Sequence, residues 1–239
     1  MTAPAHGLWA YLATSPLLGL TLTLLAYQCA HWLFRRSGSH PAANPVLLAM
    51  LMLMGFMYLT DTPYATYFEG AQFVHFLLGP ATVALAIPLY GQMRRLRAMA
   101  LPLLVALLAG SASAIVSAVL IARALGASVA TQLSFAPKSV TTPIAMGISE
   151  QLGGIPSLTA VLVIVTGVVG AVGGHALYRL LRVKDEAVRG FAMGLSSHGV
   201  GTARAFQESE ATGAFSALAM GLNGLLTALL APLLVKWLF

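Results

Sequence analysis

Apolar residues gather into runs of membrane length along this chain, and short polar clusters divide them. Residues 16–34 form the first clear run, which can be extended back toward Leu8, and it closes on Trp32, Phe34, Arg35 and Arg36. An interfacial aromatic followed by basic residues is how a helix leaves hydrocarbon. A polar turn with two prolines fills 37–45. A second run covers 46–59, extendable back to Ala42 and stopped at Thr60-Asp61-Thr62-Pro63-Tyr64. The third, 71–90, is punctuated by Gly79-Pro80-Ala81-Thr82 and by Pro88. Runs over 99–121, 157–178 and 212–239 follow, the last with Asn223-Gly224 inside it and Lys236-Trp237 at its rim. With their extensions they approach the roughly 20 residues that a helix needs to cross a bilayer.

Two stretches fit no plain span. Residues 191–204 place His198, Arg204, three hydroxyls and three glycines within fourteen residues. Residues 132–154 hold Lys138, the run Ser139-Val140-Thr141-Thr142-Pro143, Glu150 and a closing Gly153-Gly154. Hydrocarbon admits irregular backbone and charge only where protein buries them or a cavity hydrates them. Both stretches are therefore expected to be broken elements at a polar site, with Pro143 and Gly147 as the break points of the earlier one. Were 132–154 a full crossing, the loop with Arg179, Arg182, Lys184 and Arg189 would face away from the cluster Arg94-Arg95-Leu96-Arg97. That arrangement breaks the positive-inside rule. The pattern thus predicts an all-α polytopic membrane protein of about seven spans plus one re-entrant or broken-helix element. Its N-terminus is expected outside, its C-terminus with Lys236 cytoplasmic, and Glu208 and Glu210 on the outer side. Two irregular segments separated by good helices also suggest an inverted repeat of the secondary-transporter type.

Composition narrows the class further. Of the 239 residues 58% are hydrophobic and 8% charged, against about 25% charged in average soluble domains. A soluble fold is excluded, and the chain reads as one transmembrane domain over 1–239. Within it a peripheral first helix covers 8–41, and the core has halves at 42–131 and 132–239. The formal charge of +6 comes from 13 basic and 7 acidic residues. It reads as loop bias, because no basic run with interleaved aromatics points to nucleic acid. The first apolar stretch lacks the flanks of a cleaved signal peptide and is expected to be retained. Cys29 is the only cysteine, which rules out an intrachain disulfide and suggests a small core side chain. His31, His75 and His175 lie on separate segments and read as packing or interface residues. Ser197 and His198 are adjacent rather than opposed, and neither a zinc signature nor a Walker loop is present, so no enzyme and no cofactor are expected.

Three segments carry a resemblance. Leu78-Gly79-Pro80-Ala81-Thr82-Val83-Ala84-Leu85-Ala86-Ile87-Pro88-Leu89-Tyr90, Pro137-Lys138-Ser139-Val140-Thr141-Thr142-Pro143-Ile144-Ala145 and Ser197-His198-Gly199-Val200-Gly201-Thr202-Ala203-Arg204-Ala205 together resemble the LrgB/CidB family, over roughly residues 45–236. The resemblance implies a bacterial inner-membrane protein, often encoded beside a smaller LrgA/CidA-type partner. It implies holin/antiholin-like regulation of murein hydrolases and autolysis. It also implies carboxylate transport, since the plant plastid relative exchanges glycolate and glycerate and bacterial relatives are linked to pyruvate.

A carboxylate crossing a membrane must exchange its hydration shell for donors in the protein, which cationic side chains and half-helix ends supply. Lys138 and Arg204 are the candidate cations. The alternative is that they pair with Glu150, Glu208 or Glu210, or snorkel to an interface. His198 is a candidate for proton relay, for donation to substrate, or for capping a broken helix. Thr141, Thr142, Ser196, Ser197 and Thr202 can donate to a carboxylate or α-hydroxyl, or back-bond to their own helix. Gly199, with Gly194 and Gly201, lets backbone approach a ligand or lets helices pack. Thr82 is a candidate third wall, and Glu150 reads as an end-of-hairpin ion pair. The leading expectation is a secondary carrier for glycolate, glycerate or pyruvate-like acids, coupled to protons or sodium, in a homo-oligomer or alone. The competing one is an antiholin-like regulator acting with the small partner.

Overall fold

The computed structural model describes residues 16–38 and 43–239. The extension toward Leu8, the start of the peripheral helix, the side chain of His75 and part of the 37–45 turn lie outside the described residues. The chain divides into two compact units, Met1–Ala84 and Leu85–Phe239.

In the first unit the helices are α1 (Pro16–Arg36), α2 (Pro45–Leu59), α3 (Tyr64–Phe76) and α4 (Leu78–Ala84). Asn44 starts α2 by accepting from the backbone N–H groups of Val46 and Leu47 at 2.9 and 3.2 Å, ahead of a proline that has no N–H to satisfy. Gly19 lets α1 lie against α3, where an added Cβ would sit 2.9 Å from Gly70 Cα. One turn on, the Thr23 hydroxyl shares a hydrogen with Tyr67 Oη at 2.7 Å. Cys29 is exposed on α1, which corrects its expected place in the core. The third apolar run carries the punctuation its sequence predicts, with short helix breaks beside Gly79-Pro80 and before Pro88 inside a 64–91 segment that has the length and apolarity of a span.

The second unit holds α5 (Ala86–Gly91), α6 (Met93–Ala98), α7 (Ala100–Ala124), α8 (Val129–Phe135), α9 (Thr142–Leu152), α10 (Pro156–Leu180), α11 (Glu186–Glu208) and α12 (Glu210–Leu238). Unlike a soluble protein it exposes apolar side chains as well as burying them, and Leu103, Leu107, Ile115 and Val119 of α7 are buried. Leu101, Leu104, Val105 and Leu108 of α7 are exposed, while Ser111 on the same helix is 1% exposed. Among the described residues five helices are long and apolar enough to cross a membrane, and Pro45–Leu59 is a shorter apolar one. The chain is a multi-span, all-α membrane protein.

Helix α11 does not run straight. Arg189 and Glu208 form an ion pair, yet nineteen residues of continuous helix would separate them by about 28 Å. His198 alone has non-helical backbone, at φ 42 and ψ −133. There the chain turns back, giving limbs 186–197 and 199–208 that lie side by side. A Cβ at Gly201 would come within 2.6 Å of Ser197 Cβ. Helix α12 then runs beside the first limb, which is possible because Gly190 and Gly194 have no side chain to strike the carbonyls of Thr212 and Ser216. The expected placement of Glu208 opposite the Arg179–Arg189 loop is thereby corrected.

The other irregular stretch folds back as well. Helices α8 and α9 are separated by residues 136–141, with Pro137 and Pro143 at the two edges of the gap. Gly147 lies inside α9, so the break precedes the expected one; proline is favoured at the start of a helix rather than its interior. Ser134 receives the Ile155 N–H at 2.8 Å and the Thr159 hydroxyl at its carbonyl at 3.1 Å, so the end of α8 lies beside the entry to α10.

Contacts at the helix ends fix the order. Arg95 before α7 pairs with Asp185 before α11 at 2.7 Å. The other end of α7 meets the end of α12, where Arg123 donates to the Leu238 carbonyl at 3.2 Å. Lys236 therefore lies at the end away from the Arg94–Arg97 and Arg179–Arg189 clusters, which corrects its expected grouping with them. The first hairpin opens at the Arg123 end and the second at the Asp185 end.

Candidate functional site

The hairpin tips meet on α12. The Asn223 amide nitrogen donates to the Leu195 carbonyl at 2.9 Å, just before the fold at His198, and to the Ser139 carbonyl at 3.3 Å, inside the first break. Its oxygen accepts from the Ser111 hydroxyl of α7 and from Thr227 at 3.3 Å. Broken helices leave carbonyls without their usual partners, and one buried amide here serves one from each tip. The one amide side chain in the middle of an apolar 29-residue helix is the signal that could have singled out Asn223 beforehand.

His198 holds a backbone conformation that favours glycine and costs of order 1–3 kcal/mol. Its ring answers this by donating from Nε2 to the Val163 carbonyl on α10 at 2.9 Å, which fixes the proton on that nitrogen because a carbonyl only accepts. The His198 carbonyl accepts from the Thr202 hydroxyl at 2.8 Å, and Thr202 in turn shares a hydrogen with Ser216 at 2.9 Å. Glycines of α10 make the room: a Cβ at Gly167 would come within 2.8 Å of the imidazole, and one at Gly170 would overlap the Ser197 hydroxyl.

Beside these tips lies a broad, largely open groove of about 610 Å³. Lys138 and Ser139 of the first tip reach its wall, and so do Ser196 and Ser197 of the second. Lys138 Nζ donates to Ser139 Oγ at 3.3 Å, and the two α11 serines share a hydrogen at 3.2 Å. One ammonium and three hydroxyls on a common wall can bind a small anion by charge and by neutral donation together. Thr166 of α10 joins the wall and was not singled out from sequence.

The remaining sequence candidates fall elsewhere. Thr141 and Thr142 start α9. Gly199 is exposed, and the Thr202 hydroxyl is engaged as described. Arg204 lies on the return limb, donating to Gln207 Oε1 at 3.0 Å, and is not on the cavity wall. Thr82 belongs to the first unit, where its hydroxyl back-bonds to the Leu78 carbonyl at 2.7 Å. Glu150 is exposed and makes no ion pair among the described residues. His175 sits within 3.5 Å of Glu208 and 3.1 Å of Arg189, at the open end of the second hairpin. In that same end region Asp185 starts α11, and the Val188 backbone N–H, helped by Arg95, holds its carboxyl below the ordinary carboxylate range. Among the described residues no group of three or more His, Cys, Asp or Glu could hold a metal ion.

Comparison with known proteins covers nearly the whole chain. The family model described as LrgB-like matches residues 23–237. YwbG, an uncharacterised protein of Bacillus subtilis (strain 168), is 38% identical over 221 residues, which cover 92% of this chain and 98% of that protein. The "Antiholin-like protein LrgB" of Bacillus mycoides (strain KBAB4) is 31% identical over 223 residues, covering 93% and 97%. The protein of the same name from Bacillus cereus (strain B4264) is 30% identical over the same length. No solved structure matches the chain significantly.

Proposed function

Because the chain belongs to the LrgB-like family, we propose that it is an antiholin-like component of the bacterial inner membrane. In this reading it works with a small LrgA/CidA-type membrane partner to set envelope permeability and, through it, murein hydrolase activity. The observation that carries the reading is the name borne by relatives that align with nearly this whole chain. The test is dye release from vesicles and lysis of cells making the partner alone or both proteins. Suppression of release by this chain supports the reading, and release unchanged by its presence overturns it.

A second reading, transport of a monocarboxylate such as glycolate, glycerate or pyruvate, is favoured by a separate observation. Two broken hairpins that open at opposite ends put Lys138, Ser139, Ser196 and Ser197 on one cavity wall. Broken elements meeting near mid-membrane are how many secondary transporters hold substrate. We read the first hairpin with α10, and the second with α12, as the inverted pair, which confines the repeat to 129–239. Lys138 neutralises the carboxylate and the serines orient it. Thr141, Thr142, Gly199 and Thr202 support the tips, Arg204 bonds along the return limb, and His198 is the fixed pivot whose proton coupling the pH dependence of uptake tests. By the positive-inside rule the Arg94–Arg97 end faces the cytoplasm, which puts Phe239 on the outer side. Uptake of labelled glycolate and pyruvate into preloaded vesicles tests it. Saturable counterflow that Lys138→Gln abolishes supports a carrier; absence of exchange under proton and sodium gradients, with the partner present, excludes one for these acids.

A further inference from the structure

We propose that the hairpin-tip cavity binds a carboxylate carrying an apolar tail of medium length, rather than only an acid of two or three carbons. The inference rests on reading this cavity as an anion site, as the transport reading does, but not on transport itself. Size is the first reason. At roughly 30 Å³ for each water in the liquid, a cavity of this volume holds about twenty waters. A three-carbon acid has six non-hydrogen atoms and would leave most of that water in place. Pockets of 300–1,000 Å³ are usual for larger ligands whose surface is mostly covered.

The distribution of chemistry is the second reason. Charge and hydroxyls belong chiefly to the two tips, where Lys138 and the three serines gather. The α10 wall is different. Leu162, Val165 and Val169 recur at helical spacing along one face of it, interrupted by the single hydroxyl of Thr166, and Phe135 at the end of α8 adds an aromatic side chain. Val165 and Val169 are 52% and 64% exposed, so no protein side chain covers this apolar wall and a tail has room to lie along it. A head-and-tail ligand matches both walls: the carboxylate takes the ammonium and hydroxyl hydrogens, and the tail lies along α10. An acid of about six to ten carbons fills roughly two- to three-fifths of the space, counting each heavy atom as one water.

The experiment measures binding of straight-chain acids from acetate to decanoate, each beside the alcohol of equal length, to the full chain in nanodiscs. Alcohols report partition into lipid. Val169→Phe narrows the α10 wall and Lys138→Gln removes the charge, with melting temperature checked for each variant. The expected result is affinity rising about two- to four-fold per added methylene, a preference for acid over alcohol that Lys138→Gln reduces at least ten-fold, and a loss in Val169→Phe that grows with chain length. Affinity that peaks at two or three carbons and is indifferent to Val169→Phe overturns the tail while leaving the anion site standing. Acids that bind no better than alcohols at every length, with Lys138→Gln unchanged, overturn the anion site as well.

Discussion

The two hairpins solve the same problem by different means. The first spends six residues, 136–141, on its turn, with Pro137 near its start and Pro143 just past its end. The second turns at His198 alone, with strained backbone. The first keeps ordinary dihedrals and so needs length, which presents Lys138 to the cavity. The second saves length and needs outside support from Val163, Thr202 and the glycines of α10. A relaxed tip carries the charge, and a strained tip is held by its neighbours.

The largest effect should come from testing whether the second hairpin folds back at all. In a Cys29→Ser background, Arg189→Cys with Glu208→Cys should be joined by a short bismaleimide in high yield. A continuous helix would keep the pair about 28 Å apart and out of reach, and absence of cross-linking would refute the turn at His198. Next, Gly194→Val should abolish folded yield on size exclusion, since its side chain has to enter the Ser216 carbonyl; a monodisperse variant of normal stability would show that α11 and α12 are not so close.

Asn223→Leu leaves carbonyls of both tips without their donor and should lower stability by about 1–3 kcal/mol in chemical unfolding. A change confined to protease cleavage near one tip would show that the amide serves only that hairpin. His198→Ala loses the bond to Val163 and keeps the strain, so about 1–2 kcal/mol is expected. His198→Gly relieves the strain as it loses the bond and should fall closer to wild type. Equal losses in the two variants would remove strain from the account of the second tip.

The smallest effect concerns pH at the open end of that hairpin. The folded-state pKa of Asp185 lies below its unfolded value, so its contribution is present above about pH 4 and fades as pH falls through the folded value. The group is half exposed, which limits the effect to a degree or so in melting temperature. Asp185→Asn, which keeps the cap, should flatten that acid-side slope alone; a slope unchanged by the substitution would assign it to other carboxylates.

Both polar stretches were legible in the sequence, because charge, hydroxyls and glycine do not belong together in lipid-facing helix. What composition could not reveal was direction. A crossing and a return have the same composition, and only one stretch was assigned a return. The ion pair of Arg189 with Glu208 supplies the second. Lys236 was misplaced because a lone basic residue at a helix rim was weighed like a loop cluster. Arg204 was favoured as a cation in an apolar setting, but limb geometry turns it toward Gln207. Asn223 passed for a detail of a long apolar helix because the two tip groups it serves are backbone carbonyls, which hydrophobic pattern does not display.

Asn223 also has a consequence for biogenesis. Chain synthesis runs from the N-terminus, so both hairpins are made before the helix that carries this amide. Until α12 arrives, the carbonyls of Ser139 and Leu195 have no such donor, and two polar tips sit beside lipid at a cost that favours their withdrawal toward water. The order of emergence thus makes the last helix a quality checkpoint: a nascent chain delayed before residue 223 would offer both half-inserted tips to the cell's proteases.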